Sequence, residues 1–130
     1  MTHTVLIVED EDSFRFATEK NLMAAGFSVI SAPNSMIALD KLKHETIDLM
    51  LVDVAMPAGM PHGLSLARMA RMQNPDMPIF FVTAYRELAE FAREVSGKVF
   101  CKPVDLDEIV DEIKIALSSG ARAPSGSQAS

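Results

Sequence analysis

The 130-residue sequence predicts an α/β fold, a parallel β-sheet of five strands with helices on both faces. Two observations carry that prediction. Four short apolar runs, Val5–Val8, Leu49–Val52, Ile79–Val82 and Val99–Cys101, are separated by helical stretches. Each run is also followed at once by a polar residue able to do chemistry: Glu9 with Asp10, then Asp53, Thr83 and Lys102. Sheets of this kind bind ligands at the carboxyl ends of their strands, so the alternation gathers the reactive groups on one edge.

The elements follow in order. Strand 4–8 holds the first apolar run, and helix 12–25 ends at Gly26. Strand 27–32 leads to helix 34–44, for which Asn34 after Pro33 is the expected cap. Strand 47–52 runs into loop 54–62, and helix 63–73 closes before Pro75 and Asp76. Strand 78–83 precedes helix 86–95, which carries Leu88, Phe91 and Val95 on one face and charge on the other. Strand 98–101 is followed by helix 105–117. There Leu106, Ile109, Val110, Ile113 and Leu117 recur at helical spacing, and Asp105 with Glu108 forms a capping-box pattern. Residues 1–117 thus read as one domain. The segment 118–130, rich in Ser, Gly, Ala and Pro, has too little apolar surface to offset the entropy of ordering and reads as a disordered tail.

Composition narrows the function. A domain of this size buries roughly two-thirds of the surface of its unfolded chain, so disulfide or metal staples are not required. The formal charge of −6, from 18 acids against 12 bases with no block of like charge, argues against a nucleic-acid surface and for a protein or small-molecule partner. The single cysteine, Cys101, is expected as a small core residue and fits a reducing cytoplasm. No apolar run has the length of about 18 residues that a membrane span needs, so no membrane insertion is expected. His3, His44 and His62 lack ligand spacing and read as solvated surface. Met56, Met60, Met69, Met72 and Met77 read chiefly as adaptable core filling around the third helix, with a contact surface as the alternative, and Arg68 and Arg71 read as solvated.

The chemistry rests on three carboxylates. Two unit charges 4 Å apart repel by about 4 kcal/mol at an effective dielectric of 20, so Glu9, Asp10 and Asp53 cannot all stay ionised unaided. Either one takes a proton or a cation enters. Magnesium suits such a site because it takes one or two carboxylates and keeps several waters, leaving positions open toward phosphoryl oxygens. Lys102 would add a point positive charge and Thr83 a hydroxyl donor to the same oxygens. Taken singly, each of these residues is ordinary strand-end structure. The set, on four strand ends that the architecture makes neighbours, is not.

The motifs Val5-Leu6-Ile7-Val8-Glu9-Asp10-Glu11, Asp48-Leu49-Met50-Leu51-Val52-Asp53-Val54-Ala55-Met56-Pro57, Val82-Thr83-Ala84 and Lys102-Pro103 resemble, in kind and order, those of the response-regulator receiver domain of bacterial two-component signalling. The resemblance covers residues 4–117. It implies a flavodoxin-like sheet of order 2-1-3-4-5. It implies Asp53 as phosphoacceptor, Asp10 as direct magnesium ligand, Glu9 acting mainly through metal-bound water, and the backbone carbonyl of Ala55 completing the ligands. Thr83 would bind the phosphoryl group, Lys102 would pair with it, and the Lys102–Pro103 bond would be cis. The implied donor is a histidine kinase or histidine phosphotransferase, and the implied setting is the bacterial cytoplasm. With no output domain in the sequence, the expectation is a module signalling by protein contact or passing the phosphoryl group onward.

Three positions depart from the family pattern. Val99 stands where Tyr or Phe is common, and neighbouring Phe100 falls on the opposite strand face. Gly63 comes six residues after Pro57 where a glycine about four residues on is usual, and Val104 replaces a common Phe. Two rivals frame the reading. A magnesium-dependent aspartyl-phosphate phosphotransferase would need a second acid two residues after Asp53, where Ala55 stands; a phosphorylation-independent docking module would not need Asp10, Asp53, Thr83 and Lys102 intact.

Overall fold

The computed structural model describes residues 2–54, 63–86, 90 and 98–118. Five strands, β1 (Thr4–Val8), β2 (Ser28–Ala32), β3 (Leu49–Asp53), β4 (Ile79–Thr83) and β5 (Lys98–Cys101), form one sheet in the order β2-β1-β3-β4-β5. All four pairings are parallel. Helices α1 (Asp12–Ala24), α2 (Ser35–His44), α3 (Gly63–Gln73) and α4 (Leu106–Ser118) are the described helices. Residues 55–62 of the expected loop 54–62, nearly all of the expected helix 86–95 and residues 119–130 of the expected tail 118–130 lie outside the described residues, while Ser118 closes α4 instead of opening the tail.

Central strands are apolar throughout because both their faces are covered. Every residue of β3 and β4 is buried, whereas edge strands β2 and β5 are mixed. Side chains alternate across the sheet. Leu6, Val8, Met50, Val52, Ile79 and Phe81 pack with Ala38 and Leu42 of α2 and Leu66, Ala67 and Ala70 of α3. On the other face Val5, Ile7, Leu49, Leu51, Phe80, Val82 and Phe100 pack with Leu22 of α1 and Ile109, Val110, Ile113 and Leu117 of α4. Val99 packs on the first cluster and Phe100 on the second, where its ring lies 5.8 Å from that of Phe80, so the two do occupy opposite faces.

Local signals explain the boundaries. The Asn34 side chain accepts a 2.9 Å hydrogen bond from the Ile37 N–H, capping α2. Gly26 has a φ of 98°, and beside it the Phe27 N–H reaches back to the Leu22 carbonyl at 3.1 Å, which ends α1. Strand β3 begins two residues later than expected, because Asp48 is engaged otherwise. Its carboxylate accepts from the Thr4 N–H at 2.8 Å and its own N–H donates to the Thr4 carbonyl at 2.9 Å. At α4 the Asp105 side chain accepts from the Asp107 N–H at 2.9 Å, so the cap bond goes to Asp107 rather than to the Glu108 amide of a capping box.

Three expectations are corrected. Cys101 is exposed, because β5 is an edge strand and Cys101 is its last residue. Met77 is fully buried, but Met69 and Met72 are exposed and line a shallow groove with Leu39, Lys43 and Gln73 between α2 and α3; they do not fill the core. Arg71 is not simply solvated. Its guanidinium donates to the carbonyls of Pro75 at 3.1 Å and Met77 at 2.5 Å, tying the end of α3 to the approach to β4.

Candidate functional site

Strand register aligns the reactive ends. Val8 pairs with Val52 and Asp53 with Val82, which sets the residues just after β1 beside the end of β3. Thr83 pairs with Cys101, and the Lys102 N–H continues the ladder to the Thr83 carbonyl at 2.7 Å. The Lys102–Pro103 peptide is cis, as the resemblance implies.

Glu9, Asp10 and Asp53 each offer a carboxylate oxygen within 4.8 Å of the others. Glu9 and Asp53 are buried and Asp10 is exposed, giving a shallow acidic cup open on one side. Lys102 closes it from the β5 end, its Nζ lying 3.1 Å from Glu9 Oε1, 3.5 Å from Asp53 Oδ2 and 3.6 Å from Glu11 Oε1. The same ammonium sits 4.5 Å above the Phe14 ring, a cation–π contact that holds it without hydrogen-bonding it.

Crowding shows in the protonation of these groups. Burial, then the charge of Asp53 and a hydrogen bond with it, raise the Glu9 carboxyl from 4.5 to about 7, against the Glu11 N–H and Lys102, which both lower it. For Lys102 burial works against the charged form, but Glu9 and Asp53 outweigh it and the ammonium is held above its ordinary value. The cluster therefore carries more negative charge than one lysine balances. Hard oxygen donors, one exposed and two buried, with a Glu9 carboxyl raised by burial and by the facing Asp53, fit a small divalent cation such as Mg²⁺.

The structure thus brings together Glu9, Asp10, Asp53 and Lys102. Thr83 is fully buried at the neighbouring strand end, where its hydroxyl accepts from the Tyr85 N–H at 3.0 Å and faces the Tyr85 carbonyl at 3.4 Å. Ala55 and His62 lie outside the described residues. Three contributors escape the strand-end pattern: Glu11, Phe14 and Arg15 come from the start of α1, not from a strand. The Asp12–Arg15 spacing of three residues on a helix is the available signal for the last. Arg15 Nη2 is 2.6 Å from Asp12 Oδ1, and Nη1 donates to the Glu9 carbonyl at 2.9 Å.

Comparison with known proteins agrees with this geometry. The family model "Response regulator receiver domain" matches residues 5–114. The chain is 33% identical over 113 residues to the response regulator receiver protein CpdR of Brucella abortus (strain 2308), covering 85% of this chain and 92% of that protein. It spans only 24% of other curated relatives, the transcriptional regulators NtrC. Among solved structures, a CheY-like receiver domain protein from Methanospirillum hungatei JF-1 superposes with a TM-score of 0.84 at 27% identity, over 92% of this chain and 96% of that one. The response regulator TrrA of Thermotoga maritima, solved in complex with Mg²⁺ and BeF, gives 0.78 at 27% identity, over 87% and 97%. With its fold, its acidic cup and its strand-end lysine in place, the chain belongs to the response regulator receiver domain family.

Proposed function

We propose that this receiver takes a phosphoryl group onto Asp53 from a phosphohistidine of a histidine kinase or histidine phosphotransferase, and signals by protein contact in the bacterial cytoplasm. The observation that carries the reading is the Asp53 carboxylate, 7% exposed at the end of β3, with the Lys102 ammonium 3.5 Å from one oxygen and two further acids within 4.8 Å.

In this reading an Asp53 oxygen attacks phosphorus, an O–P bond forms, and the P–N bond breaks with its electron pair leaving on the imidazole nitrogen. Glu9, Asp10 and Asp53, with the Ala55 carbonyl, would hold Mg²⁺, which supplies charge neutralisation to the phosphoryl oxygens when bound. Lys102 pairs with the phosphoryl group and Thr83 donates its hydroxyl to it once released from Tyr85. Lys102 is suited to this because its flexible stem lets the point charge turn from carboxylate to phosphoryl oxygen. The protein is in this sense a phosphoacceptor that assists its own phosphorylation and dephosphorylation, not a turnover enzyme.

Incubation with acetyl phosphate and MgCl₂ followed by intact-mass spectrometry tests the assignment. The expected result is one added phosphoryl group that is absent from Asp53→Asn. No uptake by the wild-type chain, or equal uptake by Asp53→Asn, refutes it.

A further inference from the structure

We infer that Arg15 is a positioning residue for the acidic cup, fixing the Glu9–Asp10 peptide and through it the direction in which Asp10 presents its carboxylate. The inference rests on the proposed Mg²⁺-dependent function and deepens it.

Asp10 is the exposed member of the cup, and Asp53 and Glu9 are buried. Its aim depends on the backbone that carries it. That backbone has just left the sheet: the Glu9 N–H still pairs with the Ala32 carbonyl of β2 at 3.0 Å, but among the described residues no strand amide takes the Glu9 carbonyl. Arg15 takes it instead, by a 2.9 Å bond from Nη1. The guanidinium is itself held, its Nη2 lying 2.6 Å from Asp12 Oδ1 and its carbon 5.0 Å above the Phe16 ring, and the residue is only 9% exposed. A planar fork with two donors can span a carbonyl and a carboxylate at once. Glu9 is thereby held at both of its backbone polar groups, its N–H by β2 and its carbonyl by α1, and the peptide it shares with Asp10 starts from that fixed carbonyl. Groups that orient a metal ligand in this indirect way typically change metal affinity by about 10- to 100-fold when removed.

The sign of the effect separates positioning from charge. Arg15 is a cation near an acidic site, so deleting it for electrostatic reasons alone would tighten binding of a divalent cation. Deleting a clamp weakens it. Mg²⁺ affinity of the full chain, measured by isothermal titration calorimetry on wild type, Arg15→Gln and Arg15→Lys with melting temperatures in EDTA, decides between them. The expected result is a Kd raised about tenfold in Arg15→Gln and by less in Arg15→Lys, whose single ammonium can reach the Glu9 carbonyl but cannot also fork to Asp12. An unchanged or lower Kd in a folded variant overturns the inference, even where the melting temperature falls. Loss of folding in both variants also overturns it, by making Arg15 a purely structural residue. Absence of Mg²⁺ binding in the wild type would instead overturn the proposed function itself.

Discussion

Glu9→Gln should remove most of the pH dependence of stability that the acidic cup imposes. In the folded chain the Glu9 carboxyl titrates at about 7, against 4.5 as its ordinary value, first because it is buried and next because Asp53 faces it. The folded state therefore holds a proton that the unfolded state has already released. Stability from this group is fully present below pH 4.5 and is lost as the pH rises through 7, the unfolded chain binding fewer protons across that window. At about 1.4 kcal/mol per unit the difference is about 3 kcal/mol in all, most of which falls between pH 5 and pH 8. Urea unfolding in EDTA, followed by far-UV circular dichroism at pH 5, 6, 7 and 8, measures it. Wild type should lose that amount relative to Glu9→Gln, which keeps the shape and a hydrogen-bonding group without the titration. Mg²⁺ should stabilise the wild type more at pH 8 than at pH 5, since cation and proton compete for one carboxyl. Parallel stability curves for the two proteins would refute the account.

Two further outcomes follow from named contacts. Gly63→Ala would set a Cβ 2.5 Å from the Asp53 carbonyl oxygen and 2.8 Å from the Val54 Cα, both backbone, so α3 or the end of β3 must shift; the expected cost is about 3 kcal/mol in chemical denaturation, and a loss below about 1 kcal/mol would show that the approach is looser than this geometry. On adding beryllofluoride and Mg²⁺, amide shifts should be largest in residues 54–63 and 83–91 and small at Val99, whose side chain is too short to fill space vacated by Thr83; maximal shifts at Val99 and Phe100 would refute this.

The strands are legible in the sequence because three of the five are buried on both faces or nearly so, and a short, unbroken apolar run bounded by polar residues is what two-sided burial demands. The strand ends are legible for the same reason, since Asp53 and Thr83 each terminate such a run. Cys101 is misplaced by the pattern because an apolar run does not announce which strand lies at the edge. That depends on the sheet order, which no local pattern of β5 records. Met69 and Met72 fail similarly, since α3 is covered by the sheet along one stripe only and methionine is tolerated on either side of it. Glu11, Phe14 and Arg15 are hidden because they reach the site across the β1–α1 turn. Only the three-dimensional course of that turn sets Phe14 under the lysine and Arg15 against the Glu9 carbonyl.

The placement of Phe14 bears on how the lysine works. A lysine ringed by Glu9, Glu11 and Asp53 alone would be pulled toward whichever carboxylate was most basic, and its long stem would lose conformational entropy in choosing one. The Phe14 face attracts the ammonium without directionality and presents it to several acceptors at similar distances, 3.1, 3.5 and 3.6 Å. Glu9 accepts a hydrogen bond from it, and Asp53 and Glu11 stand farther off as ion pairs. On the proposed reading, an ammonium held 3.5 Å from Asp53 has a short way to turn to a phosphoryl group there. On the proposed reading, the aromatic ring at the start of α1 thus lowers the electrostatic cost of moving Lys102 from carboxylates to phosphoryl oxygens.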